Sequence, residues 1–366
     1  MIVRFLFAFI ILVHGLIHFM GFAKAFGYGT ITQLTKEISK PAGFIWLLSA
    51  FLFIAATVLI LLKKESWLVV GIIAVVISQI LIISVWKDAK FGTIVNIVVL
   101  IVALAAVSSM YFESGFQKDV REKLKLSGAT QTELLKESEI QSLPQPVQNY
   151  LRYSGVINQP KVKNVRIVFE GEMRDKGKDW FKFTSRQYNF FDEPARMFFM
   201  KAKMFGLTVP GYHNYQSATA GMQVKLFGCI PVMSAKGPEM NIAETVTVFN
   251  DMCLMAPATL IDKRIQWDPI NNTSVKAIFT NEGIKISAVL YFNEMGQLVN
   301  FISEDRYAIS NMKQYRFSTP VKDYKRINGI NIPTYGETIW HYPEGEFVYG
   351  KFYLKNISYN VSEFKN

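Results

Sequence analysis

Four long apolar runs occupy the first third of the chain, at about 2–22, 44–62, 67–86 and 92–111, and none follows. Each holds 19 to 21 residues. As a helix, a run of that length rises about 30 Å, the hydrocarbon thickness of a bilayer. Arg4 is the only charged residue in the first run, and the other three have none. A soluble helix of this length would carry a polar stripe. The pattern therefore predicts four transmembrane helices. Short charged connections at 63–66 and 87–91 make neighbouring helices antiparallel. Trp46, Trp67, Trp86 and Tyr111 fall near the ends of the runs, where amphipathic rings prefer to sit.

A charged, helix-prone connector follows over 113–153, with a break expected at Gly128. Leu143-Pro144-Gln145-Pro146 then opens a short helix through Tyr153, and Gly155 ends it. From 154 to 366 the texture changes to period two. Val165, Ile167 and Phe169 alternate with polar residues, and similar runs recur to about Ser358 between turn signals such as Asn328-Gly329. About ten or eleven strands in hairpin succession predict a large curved antiparallel β-sheet, a half-barrel. One stretch departs from it. From Pro238 to Leu260 the apolar positions Ile242, Val246, Phe249 and Met252 share a helical face. The predicted class is thus an α+β membrane protein: a four-helix transmembrane bundle (1–112), a helical connector (113–153), and an antiparallel β domain (154–366) with one internal helix at about 238–260.

Several strands are apolar on both faces, as in Met197 and Phe199 against Phe198 and Met200. A sheet with one wetted face needs only one apolar face. Either a second element covers the other face, or the sheet and the internal helix enclose an apolar hollow. The abundant methionines suit a hollow, because Met side chains repack around varied ligands.

Charge sharpens the division. Up to Ser114 the chain has eight Lys/Arg and four Asp/Glu, and beyond it 32 and 25. An excess of seven spread over some 250 residues, with no basic helix or Arg-rich arm, excludes a nucleic-acid partner and suits anionic lipid headgroups. Counting basic residues beside the runs gives seven on the side of Arg4 against five on the other. The positive-inside rule then puts both termini on the cytoplasmic side by a narrow margin. The first run has the small-x-small sequence Ala23-Lys24-Ala25 after it, but its length favours an uncleaved helix. Cys229 and Cys253, the only cysteines, have no metal-ligand spacing and read as two small buried hydrophobes.

Leu143–Gly155 (LPQPVQNYLRYSG), Lys225–Val232 (KLFGCIPV), Gly237–Met240 (GPEM) and Ala256–Leu260 (APATL) resemble an uncharacterised bacterial family with a β-rich domain of unknown function. The resemblance covers about 143–360 and implies no catalytic residues. The expected architecture, a curved sheet closed by a helix, is also similar to the lipoprotein carriers LolA and LolB, which would imply a hollow for acyl chains. Leu12–Gly21 resembles four-helix membrane proteins of the DoxX type, too briefly to imply a function.

His14 and His18 share a helix face within the first run. They are weak candidates to ligate a metal or haem or to bind a quinone, but no carboxylate or Cys stands in any run to complete a site. Hydrogen bonds to partners on neighbouring helices, among them Ser49, Thr57, Ser78, Gln79, Ser84 and Asn96, would satisfy the same constraint. No nucleotide-binding, zinc-protease or nucleophile-elbow motif is present, so no cofactor and no metal are expected. His213, in Gly211-Tyr-His-Asn-Tyr-Gln216, is the leading site residue. The predicted ligand-binding set is His213, Tyr212, Tyr215, Phe199, Met222, Phe249 and Met252. Glu239, Glu244 and Asp251 on the internal helix read as capping and solvated acids, Glu304-Asp305-Arg306-Tyr307 as an internal ion pair, and His341 as an exposed turn residue.

Three readings remain open. The first is a non-enzymatic binding protein in the bacterial inner membrane, holding a lipid, an acylated molecule or a lipoprotein. The second is a hydrolase or transferase acting on a lipid-linked substrate through His213. The third is a structural subunit of a membrane complex.

Overall fold

The computed structural model describes residues 2–127, 133–204 and 207–365. Gly128, the expected break, lies outside them. The chain divides into two compact units, Met1–Tyr111 and Phe112–Asn366.

The first unit is helical: α1 (Ile2–Phe26), α2 (Lys40–Leu61), α3 (Trp67–Ser84), a single turn α4 (Trp86–Ala89), and the start of α5 (Gly92–Ser127). Four of these helices are long and apolar enough to cross a membrane. Ser39 caps α2 by accepting the Ala42 amide, and Pro41 occupies its first turn. α1 and α2 approach closely through small residues. A Cβ on Gly21 would lie 2.1 Å from the Trp46 ring, and one on Gly15 would lie 2.8 Å from Phe53 Cβ.

The second unit begins with the remainder of α5 and continues through α6 (Gln145–Ser154), which ends on Gly155 in the left-handed conformation (φ 72°). Strands β1 (Asn164–Met173), β2 (Phe181–Phe190), β3 (Ala195–Met204), β4 (Leu207–Gln216), β5 (Thr219–Leu226) and β6 (Ile230–Lys236) follow as a meander. Then comes α7 (Pro238–Met255). After it run β7 (Ile265–Asn271), β8 (Ser274–Asn281), β9 (Ile284–Phe292) and β10 (Leu298–Ser303). A small hairpin, β11 (Tyr307–Ala308) with β12 (Lys313–Gln314), stands apart. The long strands β13 (Arg316–Ile327), β14 (Ile330–Tyr342) and β15 (Gly345–Tyr359) finish the fold.

Thirteen strands form one open antiparallel sheet, ordered β6-β5-β4-β3-β2-β1-β15-β14-β13-β10-β9-β8-β7. This is the predicted class, with more strands than the ten or eleven expected. The two unforeseen members of the sheet, β6 and β7, are its edges. The sheet is strongly curved. Flat, it would span about 58 Å at the usual strand spacing, yet α7 touches β4, β5 and β6 on one side and β9, β10 and β14 on the other.

Both apolar faces are covered. On the concave side, Phe249 of α7 stacks on Phe279 at 5.2 Å and meets Phe301 at 5.8 Å. Burying a ring of that size contributes about 2–3 kcal/mol. Tyr150 of α6 anchors the helix by donating to the Cys253 carbonyl at 2.8 Å. On the convex side, Phe116, Val120 and Leu124 of α5 cover Tyr188, Phe190, Met197 and Phe199. Phe116 stacks on Phe199 at 5.4 Å. The doubly apolar strands are thus explained by one helix on each face. Cys253 is buried as expected, whereas Cys229 is exposed, and both are free thiols.

Candidate binding cavity

The concave face is only partly filled. Beside the α7 core, a cavity of about 920 Å³ remains between the helix, β1–β6 and β13–β15. Its wall is mainly apolar, with Phe169, Phe198, Met200, Met222, Met255 and Phe352 among the lining residues. Volumes of this size hold small-molecule and lipid ligands.

A charged cluster sits in this wall. Glu244 and Asp251 stand seven residues apart on α7, two helical turns, and so face the same way. Between them lies Arg196 of β3. Its Nη1 donates to Glu244 at 3.0 Å and its Nε to Asp251 at 2.9 Å. Gln187 and Asn189 of β2 also donate to Asp251, at 2.7 and 2.9 Å. His213 Nδ1 reaches Glu244 Oε1 at 3.3 Å, and the imidazole edge meets Phe198 at 5.6 Å. Burial alone would raise the Glu244 carboxyl, but the Arg196 charge and the His213 hydrogen bond outweigh it and hold the group down at about 2. Glu244 is therefore an ionised carboxylate sealed in the interior. It is not the solvated helix acid expected from the sequence.

A second cation, Arg306, lines the cavity, near enough to Glu244 to help hold its carboxyl down. The Arg306 guanidinium lies 4.0 Å from the Phe317 ring centroid, and its Nη1 donates to the Tyr349 hydroxyl at 3.1 Å. Among the described residues, its buried Nε has no hydrogen-bond partner, and neither has Thr338 Oγ1, another lining atom. Arg306 is not part of an ion pair within its own tetrad. Asp305 instead accepts from Ser287 at 2.6 Å, and Glu304 faces Arg316 at 3.8 Å.

The predicted ligand set separates by face. His213 and Met222 line the cavity. Phe249 and Met252 are buried in the filled core, as is Tyr215, which is held by Thr245 and Asn281 at 2.9 and 2.8 Å. Phe199 and Tyr212 point to the convex side, where Tyr212 donates to Asp119 of α5 at 2.7 Å. His341 lies on β14, bonded to Ser318 at 2.8 Å and paired with Glu346 at 3.2 Å, so it is not an exposed turn residue. Arg196 and Arg306 were missed. The one local feature was the seven-residue spacing of Glu244 and Asp251, which puts both acids on one helix face.

In the helical unit, His14 Nε2 lies 3.0 Å from Asn96 Oδ1 and His18 Nε2 lies 2.9 Å from Ser78 Oγ. Asn96 also donates to Ser78 and Gln79, both at 3.1 Å. The two histidines thus sit in a closed side-chain network. Among the described residues, no group of three His, Cys, Asp or Glu is placed to hold a metal.

An open curved sheet around one helix, with a lipid-sized cavity carrying buried charge, defines the class of the β unit. Residues 133–352 match a family of unknown function, DUF6544, and the chain belongs to that family. No curated protein matches the chain. Among solved structures, one similar chain is described as an outer membrane lipoprotein-sorting protein domain from Vibrio parahaemolyticus. It is 7% identical with a TM-score of 0.36, covering 59% of this chain and 92% of that one. Another is a LolA superfamily protein from Nitrosomonas europaea, 9% identical with a TM-score of 0.37, covering 59% and 94%.

Proposed function

We propose that the protein is a membrane-anchored binding protein whose β unit holds a lipid or acylated ligand in the concave cavity. The four apolar helices serve as the anchor in a bacterial inner membrane, with the β unit on the cytoplasmic side that the charge count favours. The observation that carries the reading is the cavity itself. A sheet this apolar normally closes on its own core, yet about 920 Å³ beside α7 stays unfilled and is walled by Met and Phe. The ligand's polar end belongs near Arg306, whose Nε has no hydrogen-bond partner among the described residues.

The test uses the full chain, exchanged from detergent into lipid-poor amphipol, with bound lipid extracted and weighed against an Ala202→Phe variant. Ala202 lines the cavity and is buried, so the larger side chain fills the space without touching the anchor. Stoichiometric lipid that the variant loses supports the reading. Equal lipid on both proteins means only annular lipid, and refutes it. An enzyme working through His213 would instead lose turnover of a lipid-linked substrate on His213→Ala, and a structural subunit would co-purify with a fixed partner.

A further inference from the structure

The register of the meander puts several turns at one end of the sheet. Met204 pairs with Leu207 across the β3–β4 turn, and Leu226 pairs with Ile230 across the β5–β6 turn. Because β4 and β5 are themselves paired, these two turns are neighbours. The tip they form is greasy where a soluble tip would be polar. Leu207 is 37% exposed, Ile230 53%, Val232 63% and Met233 44%. Val232 and Met233, with Met204 and Val224, also line the cavity, so its wall runs out to this rim.

The same end holds the first residue of the unit. Phe112 packs on Phe199, and the Lys225 ammonium lies 4.6 Å over its ring. Glu113 pairs with Lys201, two turns of α5 before Tyr212 meets Asp119. Lys123 reaches Glu193, in the β2–β3 turn at the opposite end. This segment of α5 therefore starts at the greasy rim and runs away from it. Phe112 follows Tyr111, the last residue of the fourth apolar run, by one peptide bond. Covalent connection limits how far Phe112 can lie from the end of that run.

We infer that the β3–β4 and β5–β6 rim is a bilayer-contact surface: Leu207, Ile230 and Val232 seat at the headgroup–acyl boundary of a phospholipid membrane, with Lys203 and Lys225 beside phosphate groups. Exposed apolar residues bordered by lysine are the usual chemistry of interfacial insertion. The cavity wall then meets the membrane directly, and a ligand crosses between them without passing through water. This inference rests on the reading that the apolar helices cross a bilayer, but it does not need the cavity to be loaded.

The chain carries its own reporter position. Cys229 is exposed in the rim turn and Cys253 is buried, so an environment-sensitive fluorophore attaches at Cys229 in the unaltered full chain. The labelled protein is placed in nanodiscs of phosphatidylglycerol and phosphatidylethanolamine bearing nitroxide on the headgroup-proximal acyl carbons. The expected result is loss of most Cys229 emission to nitroxide lipid, with shielding from aqueous iodide. A label at Asp192→Cys in a Cys229→Ser background, at the far end of the sheet, is expected to show the reverse. Ile230→Asp combined with Val232→Asp restores iodide access at Cys229. A Leu48→Cys label on an exposed face of α2 tests the anchor independently. If Leu48 is quenched by lipid while Cys229 stays open to iodide, the rim contact is overturned and the anchor stands. If neither is quenched, the anchor itself fails.

Discussion

Arg196 of β3 and Glu244 of α7 form a buried ion pair at 3.0 Å, and Asp251 shares the same guanidinium at 2.9 Å. One cation thus holds two carboxylates from a helix that must lie across a curved sheet. Breaking such a pair leaves charge stranded in a poor dielectric. Arg196→Met is expected to lower unfolding stability by about 3–5 kcal/mol. Urea titration of the purified protein checks this, and Arg196→Met with Glu244→Gln and Asp251→Asn should recover much of the loss.

The same pair gives an acid limb with a defined window. The folded Glu244 carboxyl lies at about 2, below its ordinary value of 4.5. The unfolded chain therefore binds a proton first as pH falls, and the stability Glu244 contributes is complete above about 4.5 and drains away towards 2. Melting temperature measured across that range should fall steeply in the wild type and less steeply in Glu244→Gln.

Arg306 offers a test of ligand polarity. Under the proposed function, Arg306→Gln removes a cation whose Nε is free to bond an anionic headgroup. A charge-assisted hydrogen bond is worth about 1.5–3 kcal/mol, so affinity for a fluorescent fatty acid should drop roughly ten- to hundredfold. Arg306→Lys keeps the charge and should lose less. Unchanged affinity in Arg306→Gln would place the headgroup elsewhere.

Within the helical unit, Gly21→Ala drives a Cβ to 2.1 Å from the Trp46 ring. Such overpacking costs about 1–3 kcal/mol. Thermal unfolding in detergent should register it, and pairing Gly21→Ala with Trp46→Ala should relieve the clash.

Asn96→Leu removes the nearer partner of His14, leaving Ser78 at 3.4 Å, and removes the donor to Ser78. Side-chain hydrogen bonds between membrane helices average about 0.6 kcal/mol and reach about 1.7. A modest drop in the thermal midpoint, without any change in bound metal by elemental analysis, is the outcome expected of a packing network.

The elements were readable where one physical rule dominated. Uninterrupted apolar runs predict α1, α2, α3 and the first part of α5, and Pro146 with Gly155 brackets α6 closely. Alternation locates most inner strands. The two sheet members that escaped notice, β6 and β7, are the edges, and each contains a proline, Pro231 and Pro269. An edge strand needs bonds on one side only, and both edges are mostly exposed, so their residues need not alternate. The candidate site was harder. Its residues come from β3, β4, α7 and the β10–β13 connection, and neighbours such as Arg196 and Glu244 lie 48 positions apart. Nothing local distinguishes a helix acid facing water from one facing a buried guanidinium. Face assignment failed likewise for Phe199 and Tyr212, because α5 offers the convex side as dry an environment as the cavity side.

Those edge prolines also bear on how the molecule behaves in company. A sheet thirteen strands wide that never closes presents two raw margins able to recruit a neighbouring chain and grow into fibres. With an imino acid interrupting each margin, strand-by-strand growth lacks a continuous template. The β unit can keep its concave side open at high local density without polymerising.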